Sequence, residues 1–170
     1  MEKKQKKIFG GGVSTGGVKI ALFDVSNPEK PKEIDKIEIG KGGSDSAVLH
    51  DHKAFLLDKR NSIMVIPVKE VEVEEGLFRD KTTVLDGAYA FRIDKDGFEE
   101  IGVVRHSKKK DYYDSWRSQA TVMRSMYIGG DLYTISTQYI KANKLEDGLP
   151  SLNSIELPEE EEDDWWNWFE

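Results

Sequence analysis

The chain has 170 residues, 38% of them hydrophobic, which is the length of one domain with enough apolar material for a core. Its net charge of −7 argues against a nucleic-acid surface, although Lys3, Lys4, Lys6 and Lys7 form a local basic arm. The lack of cysteine excludes a disulfide framework and any thiolate metal site, and no run approaches the ~18 apolar residues of a membrane-crossing helix.

The first informative stretch, "FGGGVSTGGVKIALFDVS" (9–26), looks like a phosphate cradle and fails on spacing. A Walker loop needs Lys directly after its last glycine and Ser or Thr after that, whereas Val18 separates Gly17 from Lys19, and Ile20 follows. The dinucleotide fingerprint that Gly10 and Gly12 would open requires glycine at position 15, which is Thr15. Both motifs must also open a helix, and the sequence after Gly17 is β-branched and aromatic, which reads as a strand. Residues 1–17 are therefore expected to form a basic, glycine-rich arm. Ile8-Phe9 runs straight into glycines, so no signal peptide is expected.

Strands are expected over Val18 to Val25 and Lys32 to Ile39, then Lys53 to Leu57, Ile63 to Val68, Gly87 to Ile93 and Phe98 to Val104. Four more follow at Met123 to Ile128, Leu132 to Ser136, Tyr139 to Asn143 and Leu152 to Leu157. Turn sequences such as "SNPEKP", "DKRN", "DKDG", "GGD" and "LEDGLP" separate them, and helical periodicity is nearly absent. The fold class is all-β, built from antiparallel hairpins.

An internal repeat organises these hairpins. "ALFDVSNPEKPKEIDKIEI" (21–39), "AFRIDKDGFEEIGVV" (90–104) and "YIKANKLEDGLPSLNSIEL" (139–157) share one plan of strand, polar turn and alternating strand. Phe55 and Tyr127 occupy equivalent places 72 residues apart, which is two hairpins or four strands per period. That is the content of one propeller blade. "KEVEVEEGLFRDKTTVLD" (69–86) and "HSKKKDYYDSWRSQA" (106–120) read as insertions that lengthen the period.

The blocks "GVKIALFDVSNPEKPKEIDKIEIG", "GSDSAVLHDHKAFLLD", "IMVIPV", "GAYAFRID" and "RSMYIGGDLYTISTQYIKANKL" resemble the C-terminal part of archaeal and bacterial secreted proteins that carry a C-terminal β-propeller domain. The resemblance covers residues 17–158, with "LHDHKAF" and "LYTIS" as its most specific blocks. It implies a propeller fold and an extracellular location, and very little chemistry. On that plan residues 18–158 divide into half a blade (18–39), one blade (47–104) and another (121–157), followed by an acidic tail (159–170). Two and a half blades cannot close a ring that takes at least four. Because no part of the first blade reads as a polar cap, the chain is expected to associate with itself as a homo-oligomer or with the remaining blades of a longer propeller. The inward positions Leu22, Phe23, Phe55, Leu57, Val65, Ile66, Tyr89, Phe91, Tyr127, Leu132 and Ile135 are expected to need that cover.

Few constellations carry chemistry. His50 and His52 are two residues apart, so on a strand they would face one side and hold a zinc ion with Asp45 or Asp58. The alternative is a structural hydrogen-bond network in which His50, Ser44, Asp45 and Ser46 tie one blade to the next, and repeat architecture favours it. Asp94-Lys95-Asp96-Gly97 opens like a calcium loop but lacks the downstream ligands, and Gly97 fits a hairpin turn better. His106 has no obvious nucleophile beside it but Ser107, and no elbow or metalloprotease motif occurs. The aromatic loop with Tyr112, Tyr113, Trp116 and Arg117 has the composition of a binding surface or of a lid over its own blade. In the tail, Trp165, Trp166, Trp168 and Phe169 follow six consecutive acids and are read as a docking segment. The expected function is a non-catalytic binding or assembly module with no resident cofactor, no nucleic acid and no membrane span. The alternative is an accessory or hydrolytic domain of a larger secreted enzyme whose site needs further blades.

Overall fold

The computed structural model describes residues 16–74, 81–106, 110–111 and 121–158, and their regular elements are strands plus two short 3-10 turns. β1 (Val18–Asp24) and β2 (Lys32–Ile39) form a two-stranded sheet. β3 (Leu56–Asp58), β4 (Ile63–Glu74), β5 (Lys81–Ile93) and β6 (Phe98–Arg105) form a second sheet in that order, with β7 (Lys110–Asp111) pairing with the start of β5. β8 (Arg124–Ile128), β9 (Asp131–Ile135), β10 (Tyr139–Lys144) and β11 (Ser151–Glu156) make the third. Within all three sheets neighbouring strands run antiparallel.

The turns are set by aspartates that hydrogen-bond to the backbone just ahead of them. Ser26 N donates to Asp24 Oδ1 at 2.8 Å, Arg60 N to Asp58 Oδ1 at 2.9 Å and Asp96 N to Asp94 Oδ1 at 2.7 Å. An Asx turn of this kind reverses the chain locally, which is why strands recur at short spacing.

β4 shows how the sheets stack. Its residues Ile63 to Val68 are all buried although successive side chains point to opposite faces. On one face Ile63 and Val65 pack with Ala88, Ala90, Ile101 and Val104 against Val122, Leu132 and Leu149 of the third unit. On the other, Met64, Ile66 and Val68 pack with Tyr89 and Phe91 against Ile39, with Val18, Ile20 and Ile37 of the first sheet around them. The middle sheet is thus clamped between two neighbours. This accounts for the unbroken apolar run "IMVIPV", since a strand buried on both faces loses the apolar-polar alternation.

The segment before β3 seals the edge of β4. Lys69 N donates to Asp45 O at 2.8 Å and Asp45 N to Lys69 O at 2.9 Å; Lys41 N donates to Val71 O at 2.8 Å. Pro67 sits in this gap, where its missing N–H removes no bond to β5, and its carbonyl accepts from Ser46 Oγ at 2.6 Å.

Two expected elements differ. The described parts of 69–86 are strand and not an insertion between strands: β4 and β5 pair in register from Lys69 opposite Asp86 to Glu74 opposite Lys81, with Val71 and Val84 each 2% exposed. The alternation of valine and glutamate in "KEVEVE" is itself a strand signal. The strand expected from Lys53 is replaced by 3-10 turns at Ala47–Leu49 and His52–Ala54, leaving only Leu56–Asp58 extended. Ser46 and Asp51 cap these turns by accepting from Val48 N and Lys53 N, a side-chain offer that competes with sheet pairing. As a consequence Phe55 and Leu57 are exposed and not inward, and Phe23 on β1 is exposed as well.

Gly97 joins the first two sheets. It has φ of 142°, outside the range that suits a side chain, and an added Cβ would strike the Asp35 carboxylate on β2. That carboxylate accepts from Phe98 N at 2.9 Å. Gly97→Ala is therefore expected to cost about 1–3 kcal/mol through backbone strain and loss of the Asp35 contact, read as a lower urea midpoint.

Candidate functional site

The residues expected to hold a metal do not lie on a strand. His50 ends the first 3-10 turn and His52 starts the second, and both are exposed. His50 Nε2 lies 3.9 Å from Asp45 Oδ1 with both side chains more than half exposed, and among the described residues no three metal-binding side chains gather. Asp51 between them reaches Arg124 Nη2 at 2.5 Å on β8, and its carboxyl is held below the usual range by the Lys53 amide and then by Arg124. Asp58 is likewise held low, by Asn61 and by backbone amides of its own turn. Asp94 Oδ1 is taken by the amides of Asp96 and Gly97.

Of the expected network, Ser44, Asp45 and Ser46 are brought together against β4, and His50 approaches it only through the exposed 3.9 Å contact with Asp45. Val71 N donates to Ser44 Oγ at 2.9 Å, and Ser46 N to Asp45 Oδ1 at 2.8 Å. These three residues fasten the 41–46 segment to β4. Tyr112, Tyr113, Trp116, Arg117, Trp165, Trp166, Trp168 and Phe169 lie outside the described residues.

The histidine that joins two sheets is His106, just beyond β6 and 4% exposed. Its Nδ1 lies 3.0 Å from Ser136 Oγ and its Nε2 2.7 Å from Thr134 Oγ1, both presented by the β9 segment. The Tyr139 ring meets it edge-on at 6.3 Å. Nearby, Lys141 Nζ donates to Arg105 O at 2.7 Å, closing the same seam. Burial pushes His106 down to about 4, with Lys141 adding in the same direction. A search for a nucleophile beside it in sequence misses this role. The signal that does bear on it is the spacing of Thr134 and Ser136, two residues apart and so on one face of the strand.

A second polar seam lies in the middle sheet. Tyr89 OH donates to Glu70 Oε2, Arg105 Nη2 lies 3.2 Å from that oxygen, and the Arg105 guanidinium stacks over the Tyr89 ring at 5.2 Å. Burial, then the Glu70 bond, raises the Tyr89 hydroxyl well above its ordinary value, so it remains a neutral donor. Between β3 and β8 opens a cleft of about 660 Å³ whose lining includes Leu57, Arg60, Met126 and Tyr127. Ser125 on that lining has a buried hydroxyl with no hydrogen-bond partner among the described residues.

Residues 1–148 match the family model described as the beta propeller domain. The chain belongs to that β-propeller family. It is 36% identical over 136 residues to an uncharacterised protein of Archaeoglobus fulgidus, covering 80% of this chain and 17% of that protein. With an uncharacterised protein of Methanocaldococcus jannaschii it shares 26% identity over 121 residues, 71% of this chain and 15% of that protein. The chain therefore spans about a sixth of the length of the curated relatives it matches.

As propeller parts, β3–β6 and β8–β11 are four-stranded blades and β1–β2 is half of one. Among the described residues no strand pairs with the second edge of β1. The far face of the last blade carries Met126, Ile128 and Ile155 at 40%, 56% and 54% exposure, with Tyr133, Ile135 and Ile140 between them. The equivalent face of the middle blade, at Ile63, Val65, Ala88 and Ala90, is almost fully buried.

Proposed function

We propose that this chain is a non-catalytic propeller module that works by binding and assembly, its last blade receiving a further blade. The reading rests on one observation, the contrast between the buried far face of the middle blade and the exposed apolar far face of the last one. An exposed apolar sheet face favours association, since covering it removes apolar surface from water. The greater length of the relatives supports the view that further blades are one source of cover, and a second copy is the other. Light scattering across a dilution series tests the proposal. A mass above the 19.4 kDa of one chain that falls on dilution is expected. A compact, cooperatively folding monomer at all micromolar concentrations would contradict it.

A further inference from the structure

Two clefts differ in charge. The one along the end of β4, about 490 Å³, is lined by Glu38, Glu70, Glu72 and Glu74 with Lys41, a balance that opposes acidic chain. The one between β3 and β8, about 660 Å³, has an apolar lining that includes Leu57, Met126 and Tyr127, with Leu57 42% and Met126 40% exposed. Lys59 and Arg60 stand on the same lining as exposed cations. The acid beside them, Asp58, accepts from Arg60 N and from the Asn61 side chain within its own turn. This cleft therefore offers apolar surface and an excess of positive charge together.

Residues 159–170 carry the complementary pattern: six consecutive acids, Glu159 to Asp164, then Trp165, Trp166, Trp168 and Phe169. The chain leaves β11 at Leu157, whose N donates to Gln138 O at 2.7 Å. Ile155, Ile140, Ile135 and Arg124 form one row across the last blade. From Leu157, the cleft residue Met126 lies three strand spacings across and four residues along, roughly 19 Å away. The eight residues from Leu157 to Trp165 reach about 26 Å when extended. The far face of the last blade is within the same reach, but its cations have acidic neighbours already, Arg124 in Asp51 and Lys144 in the directly opposite Asp131. We propose that residues 159–170 fold back onto their own chain and seat their aromatic side chains in the cleft between β3 and β8, with Lys59 and Arg60 balancing the acids. The Arg60 guanidinium is also suited to stack on an indole face. Tethering gives the segment an effective concentration of about millimolar, so a contact too weak to hold a free peptide is populated within one chain. This inference does not rest on the reading of the far face as a docking surface.

Tryptophan fluorescence of the full chain carrying Trp116→Phe reads this segment alone, because the other three of the four tryptophans are Trp165, Trp166 and Trp168. The expected result is a blue-shifted emission, with acrylamide quenching about twofold weaker than the same chain shows in urea, because seated indoles lose contact with water. Both should be independent of protein concentration. Met126 borders the cleft and the far face alike, so Leu57→Glu and Arg60→Glu test the cleft and Ile155→Glu tests the far face. All three sites are exposed, and far-UV circular dichroism should stay that of the parent. Leu57→Glu should return emission and quenching to the urea values, Arg60→Glu should do so in part, and Ile155→Glu should change neither. A parent signal already at the urea value would overturn the proposal, as would a blue shift that both cleft variants retain. A blue shift lost only with Ile155→Glu would place the segment on the far face, and one lost on dilution would place it on a second copy. Either result overturns docking in the cleft of the same chain.

Discussion

Replacing Leu132 by alanine is expected to cost about 2–5 kcal/mol, the loss that follows when a leucine is cut back inside a fully packed core. Leu132 is 0% exposed and points from β9 into the cluster formed with Val65, Ala88, Ala90, Ile101 and Val122. Its neighbours on β5 are alanines, too short to move into the vacated space. The middle blade cannot shift toward the cavity either, because its other face is held by Met64, Ile66 and Phe91 against the first sheet. The cavity therefore stays open and its full penalty is felt. Leu152→Ala on β11, where the side chain is 48% exposed, serves as the comparison and should change stability by less than about 0.5 kcal/mol. Urea unfolding of the two variants measures both numbers. Equal, small losses would mean that the seam between the blades is not packed as described.

The second large effect is a loss of stability in acid through His106. The native ring resists protonation until about pH 4, whereas in the unfolded chain it accepts a proton near 6.5. Between these values the unfolded state binds the proton and the native state does not. The contribution of the neutral ring is thus fully present above pH 6.5, declines as the pH falls, and is gone below about 4, a difference of ~3 kcal/mol. The ring is 4% exposed, so little solvent screening intervenes. His106→Leu should be less stable than the parent at pH 7, having orphaned the Thr134 and Ser136 hydroxyls. That gap should narrow toward pH 4.5, measured as the difference in urea unfolding free energy at each pH. A gap that is constant with pH would place the titration elsewhere.

The sheet architecture was legible because its signals are local. β2 runs from Lys32 to Ile39 as its alternation predicts, and the Asp-led turns at 58 and 94 fall where "DKRN" and "DKDG" place them. The propeller plan followed from repetition of those local units and from the family resemblance. What the sequence concealed was set by pairing over long distances. Whether Val71 continues a strand depends on Lys41 and Ser44, some thirty residues earlier, which supply its hydrogen bonds. The turns at 47–54 compete with a strand on nearly equal local terms, and the capping hydroxyl of Ser46 tips the balance. His106 reads as an isolated histidine until β9 is folded against it, because its partners Thr134 and Ser136 are 28 and 30 residues away. The pair His50 and His52 misleads for the converse reason. Their spacing has meaning only on a strand, and they lie in turns.

The central claim is that three sheets are stacked face to face, with the middle one clamped and the last one open. Amide hydrogen exchange measured at two protein concentrations tests it most directly, since local opening reports how well each strand is covered. The account predicts the slowest exchange in β4 and β5 at both concentrations and rapid exchange in β11, together with slower exchange in β8–β10 at the higher concentration only. Uniform protection of all three sheets at both concentrations would contradict it.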